Sequence, residues 1–255
     1  MILIRAVPVV LPCLTQLRSR PLAIRGASAV AAVPGTMYLA EDDHGIYRLH
    51  RGRLTLWAPA TLHDALGDLE GLATDAEGRH VWALAEESGQ VVRVSTRGDR
   101  RVVVPLGALA RPGQRRNKGW EGLACLPGRH SPNGCASLVA VHEHKPRRVS
   151  IFTLRDLAQT HELTLPPRAK DTLADLADVT VDPVTGALLL LSEESRCIAV
   201  CRVAGDRLSL ESVTDVQVED AERPEGIDFV TPSRLVVVTE GPARIIDFRV
   251  TRPRA

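Results

Sequence analysis

Short apolar runs alternate with polar turns along nearly the whole chain. They are rich in Val, Leu, Ile and Ala and are bounded by turns such as DAEGR, SPNG, DPVTG and TPS, so they read as strands and not as helices. Short helical turns are expected at TLHDALGD and RDLAQ. The pattern also repeats. Four segments open on an acid followed by an extended run: DLEGLATD with Glu70, WEGLACLP with Glu121, LADVTVDP with Asp178 and PEGIDFVT with Glu225. Each is followed by a second run, HVWALAEE, SLVAVHE, ALLLLSEE or RLVVVTE, which closes on Glu86, Glu143, Glu193 or Glu240. A degenerate first copy has Ser28 in the leading place and ends at Glu41.

The leading positions advance in steps of roughly 40–60 residues, close to the length of one four-stranded propeller blade. A third extended run follows in every unit (GIYRLH, QVVRVS, RVSIFTL, CIAVCRV, RIIDFRV), and a fourth follows in the first four. The expected fold is therefore an all-β, five-bladed β-propeller, with a single domain over residues 1–255 and blade units near 27–60, 68–107, 119–166, 176–218 and 223–250. The last unit lacks an outer strand. The N-terminal strand at residues 2–10 is expected to supply it, closing the ring and removing the free edges that invite aggregation.

Several of these segments carry a family resemblance. NKGWEGLA, HEHKPRRVSIF, DLADVTVDPVTGALLLLSEESRCI, RPEGIDF and VVVTEGPARI resemble the SdiA-regulated (YjiK-like) propeller family and, more distantly, the phytase-like esterase propellers. The likeness runs from Ser28 to Phe248, and what it implies is chiefly architecture.

Propeller geometry brings the start of an inner strand and the end of the second strand to one rim, so the repeated acids are expected to meet there. Glu70, Glu121, Asp178 and Glu225 would ring the channel with Ser28, and Glu41, Glu86, Glu143, Glu193 and Glu240 would surround them. So many carboxylates cannot all remain ionised without a compensating positive charge. Oxygen-only ligands from several strands suit a hard cation, Ca²⁺ first, with Mg²⁺ or Mn²⁺ as alternatives. Glu70, Glu121, Asp178 and Glu225 are the expected metal ligands, and Glu143 and Glu193 the candidate catalytic carboxylates. Two other arrangements would also satisfy the acids. They could pair with His44, Lys145 or Arg147, Arg196 and Arg244 in the loops after the second strands, or they could accept backbone N–H bonds that pin adjacent blades together.

The basic segment ARPGQRRNKGW, with Arg111, Arg115, Arg116 and Lys118 next to Trp120, would overhang the same rim. Ser28, Lys118, Trp120, Lys145, Arg196 and Arg244 are thus the candidate ligand-binding residues, for a small anionic or ester ligand. An enzyme of this design would be a metal-dependent hydrolase of esterase, lactonase or phosphoesterase type. The competing reading is a non-enzymatic propeller that binds a protein or ligand, with the acids as structural fasteners.

Charge and cysteine content narrow the classes further. The 32 Lys and Arg against 31 Asp and Glu give a net charge of +1, which argues against a nucleic-acid partner. No apolar run reaches the ~18 residues of a membrane helix. The five cysteines are odd in number and contain no C-x-x-C pair, which points to a reducing, cytoplasmic setting. His142 and His144 flank Glu143 on one strand face, but no third zinc ligand lies near them in sequence.

Overall fold

A computed structural model of the chain describes residues 12–41, 45–58, 67–75, 77–97, 103–109, 119–143 and 145–252. Its strands form five antiparallel four-stranded sheets arranged as a five-bladed propeller. Blade 1 contains β2 (Ala29–Val33), β3 (Thr36–Glu41), β4 (Gly45–His50) and β5 (Arg53–Ala58). Blade 2 contains β6 (Leu69–Thr74), β7 (His80–Ala85), β8 (Gln90–Ser95) and β9 (Val103–Ala108). Blade 3 contains β10 (Trp120–Leu126), β11 (Ser137–His142), β12 (Arg148–Thr153) and β13 (Gln159–Leu163). Blade 4 contains β14 (Asp178–Val181), β15 (Leu188–Ser192), β16 (Cys197–Ala204) and β17 (Arg207–Asp215). Blade 5 joins β18 (Arg223–Thr231), β19 (Arg234–Glu240) and β20 (Arg244–Thr251) to β1 (Cys13–Pro21).

The ring is closed by β1, which pairs antiparallel with β20 from Cys13↔Thr251 to Pro21↔Arg244. The closing strand thus lies at residues 13–21, further along the chain than expected; residues 2–10 lie outside the described residues. Asp247, buried on β20, accepts from Arg18 of β1 at 3.0 Å and from Arg234 of β19 at 2.6 Å, so three strands of the closed blade share one carboxylate. RDLAQ forms a turn with Leu157 at positive φ and not a helix, whereas Pro167–Thr172 forms a short helix that the sequence pattern does not announce. Of TLHDALGD, residues 61–66 lie outside the described residues.

The apolar core is divided into layers between neighbouring blades. On β15, Leu188 and Leu190 pack toward blade 3 while Leu189 and Leu191 pack toward blade 5. Strand side chains alternate between faces, and a strand covered on both faces must be apolar in both registers, which accounts for the unbroken LLLL run. The inner strands β2, β6, β10, β14 and β18 touch one another in cyclic order around the axis.

Candidate functional site

In three blades the inner strand carries a β-bulge at the glutamate. Pairing skips from Leu69 to Gly71, from Trp120 to Gly122 and from Pro224 to Gly226, leaving Glu70, Glu121 and Glu225 as the extra residues. A bulge leaves its extra residue out of the ladder and re-aims its side chain. These three carboxylates accordingly line one cavity of about 290 Å³ at the channel mouth, together with Ser28, whose hydroxyl donates to the Leu69 carbonyl at 2.8 Å.

Glu86, Glu143, Glu193 and Glu240 close the cavity from the ends of the second strands, and Asp68 and Arg223 complete its lining. Eight carboxylates therefore face one guanidinium among the described residues. Arg223 bonds Glu240 and lies 3.9 Å from Glu193. Crowding and burial also shift the carboxyl groups themselves. Burial, reinforced by Glu70, Glu86 and Glu143, pushes the Glu121 carboxyl well above the usual carboxylate range. Burial and the neighbouring Glu193 raise Glu225 to about 8 against the pull of Arg223. Burial followed by Asp175 and Glu193 raises Glu143 to about 7. Glu193 is raised as well, mainly by burial.

Asp178 does not join this ring. It pairs with Leu191, as Gly71 pairs with Leu84, Gly122 with Val141 and Gly226 with Val238, so it occupies the register of the glycines and not that of the glutamates. Its buried carboxylate accepts the N–H of Ile227 at 2.8 Å and of Val179 at 2.7 Å, and it is also bonded by the Leu123 N–H. It thus ties blade 4 to both neighbours, the fastening role weighed above, and is turned away from the expected metal position. Asp228 works similarly, accepting from Ala32 N at 2.7 Å, Thr180 Oγ1 at 2.7 Å and Phe229 N at 2.8 Å.

In blade 4 the mouth is approached instead by Asp175, which sequence reasoning passed over. Buried, it accepts from Ser192 Oγ and from the N–H groups of Glu193 and Glu194, both at 3.2 Å. Ligand atoms of Glu143, Asp175 and Glu193 all lie within 4.8 Å of one another. The turn aspartates would have revealed the offset, since Asp75 follows Gly71 by the same interval as Asp182 follows Asp178.

The basic partners also differ from expectation. Arg147 bonds the carbonyls of Leu173 and Lys170, Arg196 lies beside Asp220, and Arg244 pairs with Glu222 at 3.1 Å and Ser19 at 2.6 Å. Lys145 is exposed, and neither it nor Arg196 nor Arg244 lines the cavity. Trp120 is buried in the core, edge-on to His142 and Phe152, and not offered to a ligand. Lys118, Arg111, Arg115, Arg116, His44 and His144 lie outside the described residues. Among the described residues, the cation that lines the cavity is Arg223, which precedes Glu225 on its own strand.

Solved structures share the architecture. Glutaminyl cyclase from Myxococcus xanthus matches with a TM-score of 0.65 over 96% of this chain and 99% of its own, at 14% identity. The PQQ-bound aldose sugar dehydrogenase of Streptomyces coelicolor matches at 0.61 over 96% and 100%, at 12% identity. A nidogen/laminin complex matches at 0.53 over 84% and 72%, at 16% identity. At such identities the likeness is one of fold. No curated protein sequence matches the chain. A model of the SdiA-regulated family matches residues 106–249, more than half of the sequence, and the chain belongs to that family.

Proposed function

We propose that the acidic mouth holds a divalent cation, calcium in the first place, through Glu70, Glu121 and Glu225, and uses it to hold and hydrolyse a small anionic or ester ligand. One observation carries this reading: among the described residues, eight carboxylates and one arginine converge on the cavity. Protons retained on Glu225 and Glu143 near neutral pH mark a charge deficit that a cation would fill better. The donors are all oxygens and come from separate strands, which suits the loose shell of about six to eight oxygens around Ca²⁺ better than the strict octahedron of Mg²⁺. A bound cation would supply polarisation of a carbonyl or phosphoryl oxygen. Glu143, raised to about 7, has the proton affinity a general base needs, and Glu193 stands beside it.

A second reading has its own support. Asp178 and Asp228 show that this chain uses acids as fasteners between blades, in keeping with a propeller that serves only as a binding module. Elemental analysis before and after chelation separates the two. The cation reading expects about one Ca²⁺ per chain, removed by chelator and absent from a Glu70→Gln, Glu121→Gln variant. With cation at about a hundred times its Kd, the melting point of the parent should rise by roughly 5–10 °C, and that of the variant should not move. Metal-free protein with a melting curve indifferent to calcium would leave the binding module as the function. Chelator-sensitive turnover in a panel of esters, lactones and phosphomonoesters would establish the hydrolytic step.

A further inference from the structure

The opposite mouth of the channel has a different chemistry. A cavity of about 230 Å³ opens there, walled by residues of all five blades. Four prolines, Pro34, Pro127, Pro183 and Pro232, border it from the turns that follow β2, β10, β14 and β18, with Phe229 and Leu72 on the wall. We propose that this apolar mouth is a second binding site, for a small uncharged aromatic molecule.

The polar side chains around the cavity are already engaged. Thr74 Oγ1 donates to the Ala32 carbonyl at 3.3 Å, Thr180 Oγ1 donates to Asp228 at 2.7 Å, and Thr231 Oγ1 lies 3.3 Å from Ser233 Oγ. Asp228 takes two further backbone N–H bonds, and Asp75 is held by Arg79 N at 2.5 Å and His80 Nδ1 at 2.9 Å. Burial, then Asp75 and Asp228, push the Cys125 thiol up to about 12, so it stays neutral. Because these side chains already hold hydrogen bonds and most of the remaining wall is apolar, an uncharged guest with a large apolar face matches the cavity better than a strongly hydrated one. The four proline rings and Phe229 belong to the lining and suit an aromatic guest. A dry cavity of about 150 Å³ already accepts benzene. This one is larger, and a bicyclic ring is the natural size.

The site is independent of the acids at the other end. The two cavities have no lining residue in common.

Indole is the probe, with chelator present throughout. At tenfold excess over its Kd it should raise the melting point saturably by about 3–6 °C, and a cavity-filling Cys125→Phe variant should lose the response. In a Cys13→Ser, Cys135→Ser background, which removes the exposed thiols, the same concentration should slow alkylation of Cys125 about tenfold. This second measurement decides the matter alone if the Phe variant does not fold. No saturable shift, a shift that persists in the filled variant, or unprotected Cys125 would overturn the proposal.

Discussion

Replacing Gly122 with alanine is expected to be among the most damaging single changes in this protein. A Cβ at that position would lie 2.5 Å from both the Cα and the Oδ1 of Asp178 and 2.8 Å from Val141 Cγ2. The first of these contacts is with backbone, so the inner strands of blades 3 and 4 would have to separate. That separation pulls Asp178 from the N–H groups it fastens. Overpacking alone costs about 1–3 kcal/mol, and disturbing a buried, multiply bonded carboxylate brings the loss toward about 3–5 kcal/mol. Asp178→Ala should fall in the same range without adding bulk, because three buried N–H groups lose their acceptor. Urea denaturation checks both, and the corresponding fall in melting point is roughly 6–12 °C or more. Losses below about 0.5 kcal/mol in both variants would show that Asp178 is not the fastener the geometry makes it.

The second large effect concerns pH in cation-free protein, and it runs opposite to the usual behaviour of a salt-bridged acid. The Glu225 carboxyl rises from 4.5 to about 8 on folding, so between those values the native state binds a proton that the unfolded chain does not. The stability that Glu225 contributes then falls as pH rises from about 4.5 and levels off above about 8, with Glu121 adding to the fall in the same direction. For Glu225 alone the loss is on the order of 3–5 kcal/mol. Glu143, raised to about 7, acts in the same direction, and its exposure to solvent weakens its share. A Glu225→Gln variant should show a flatter profile, be more stable than the parent at pH 8 in chelator, and gain less from added calcium. Denaturation curves at pH 5, 6, 7 and 8 would reveal it, and parallel profiles for parent and variant would contradict the charge deficit.

The architecture was legible in the sequence because each blade repeats a two-faced apolar inner strand, and the E-G pair marks the bulge that aims an acid at the axis. Two things were hidden. The closing strand, CLTQLRSRP, reads as polar because it is an outer edge whose residues are mostly exposed or half-buried. Its place is fixed by backbone pairing with β20 and by Arg18 on Asp247, neither of which leaves a hydrophobic signature. The site was offset by one residue in blade 4. There Ala177 precedes Asp178 as a glutamate precedes glycine in blades 2, 3 and 5, and an acid in a nearly matching position passes for a ligand. Its real role depends on which neighbouring strand its carboxylate meets, and that is a matter of packing between blades. Arg223 was missed for a similar reason, since its pairing with Glu240 crosses from β18 to β19 within one sheet.

Whether the acidic mouth holds a cation is decided by calorimetric titration of chelator-treated protein with calcium at pH 7.0, repeated in buffers of different ionisation enthalpy. Saturable binding is expected with release of roughly one to two protons per calcium, because the ligands Glu121 and Glu225 must give up the protons that burial keeps on them. Binding without proton release would place the calcium away from these acids, and no binding at millimolar calcium would mean that the mouth holds no cation; either result contradicts the proposed site.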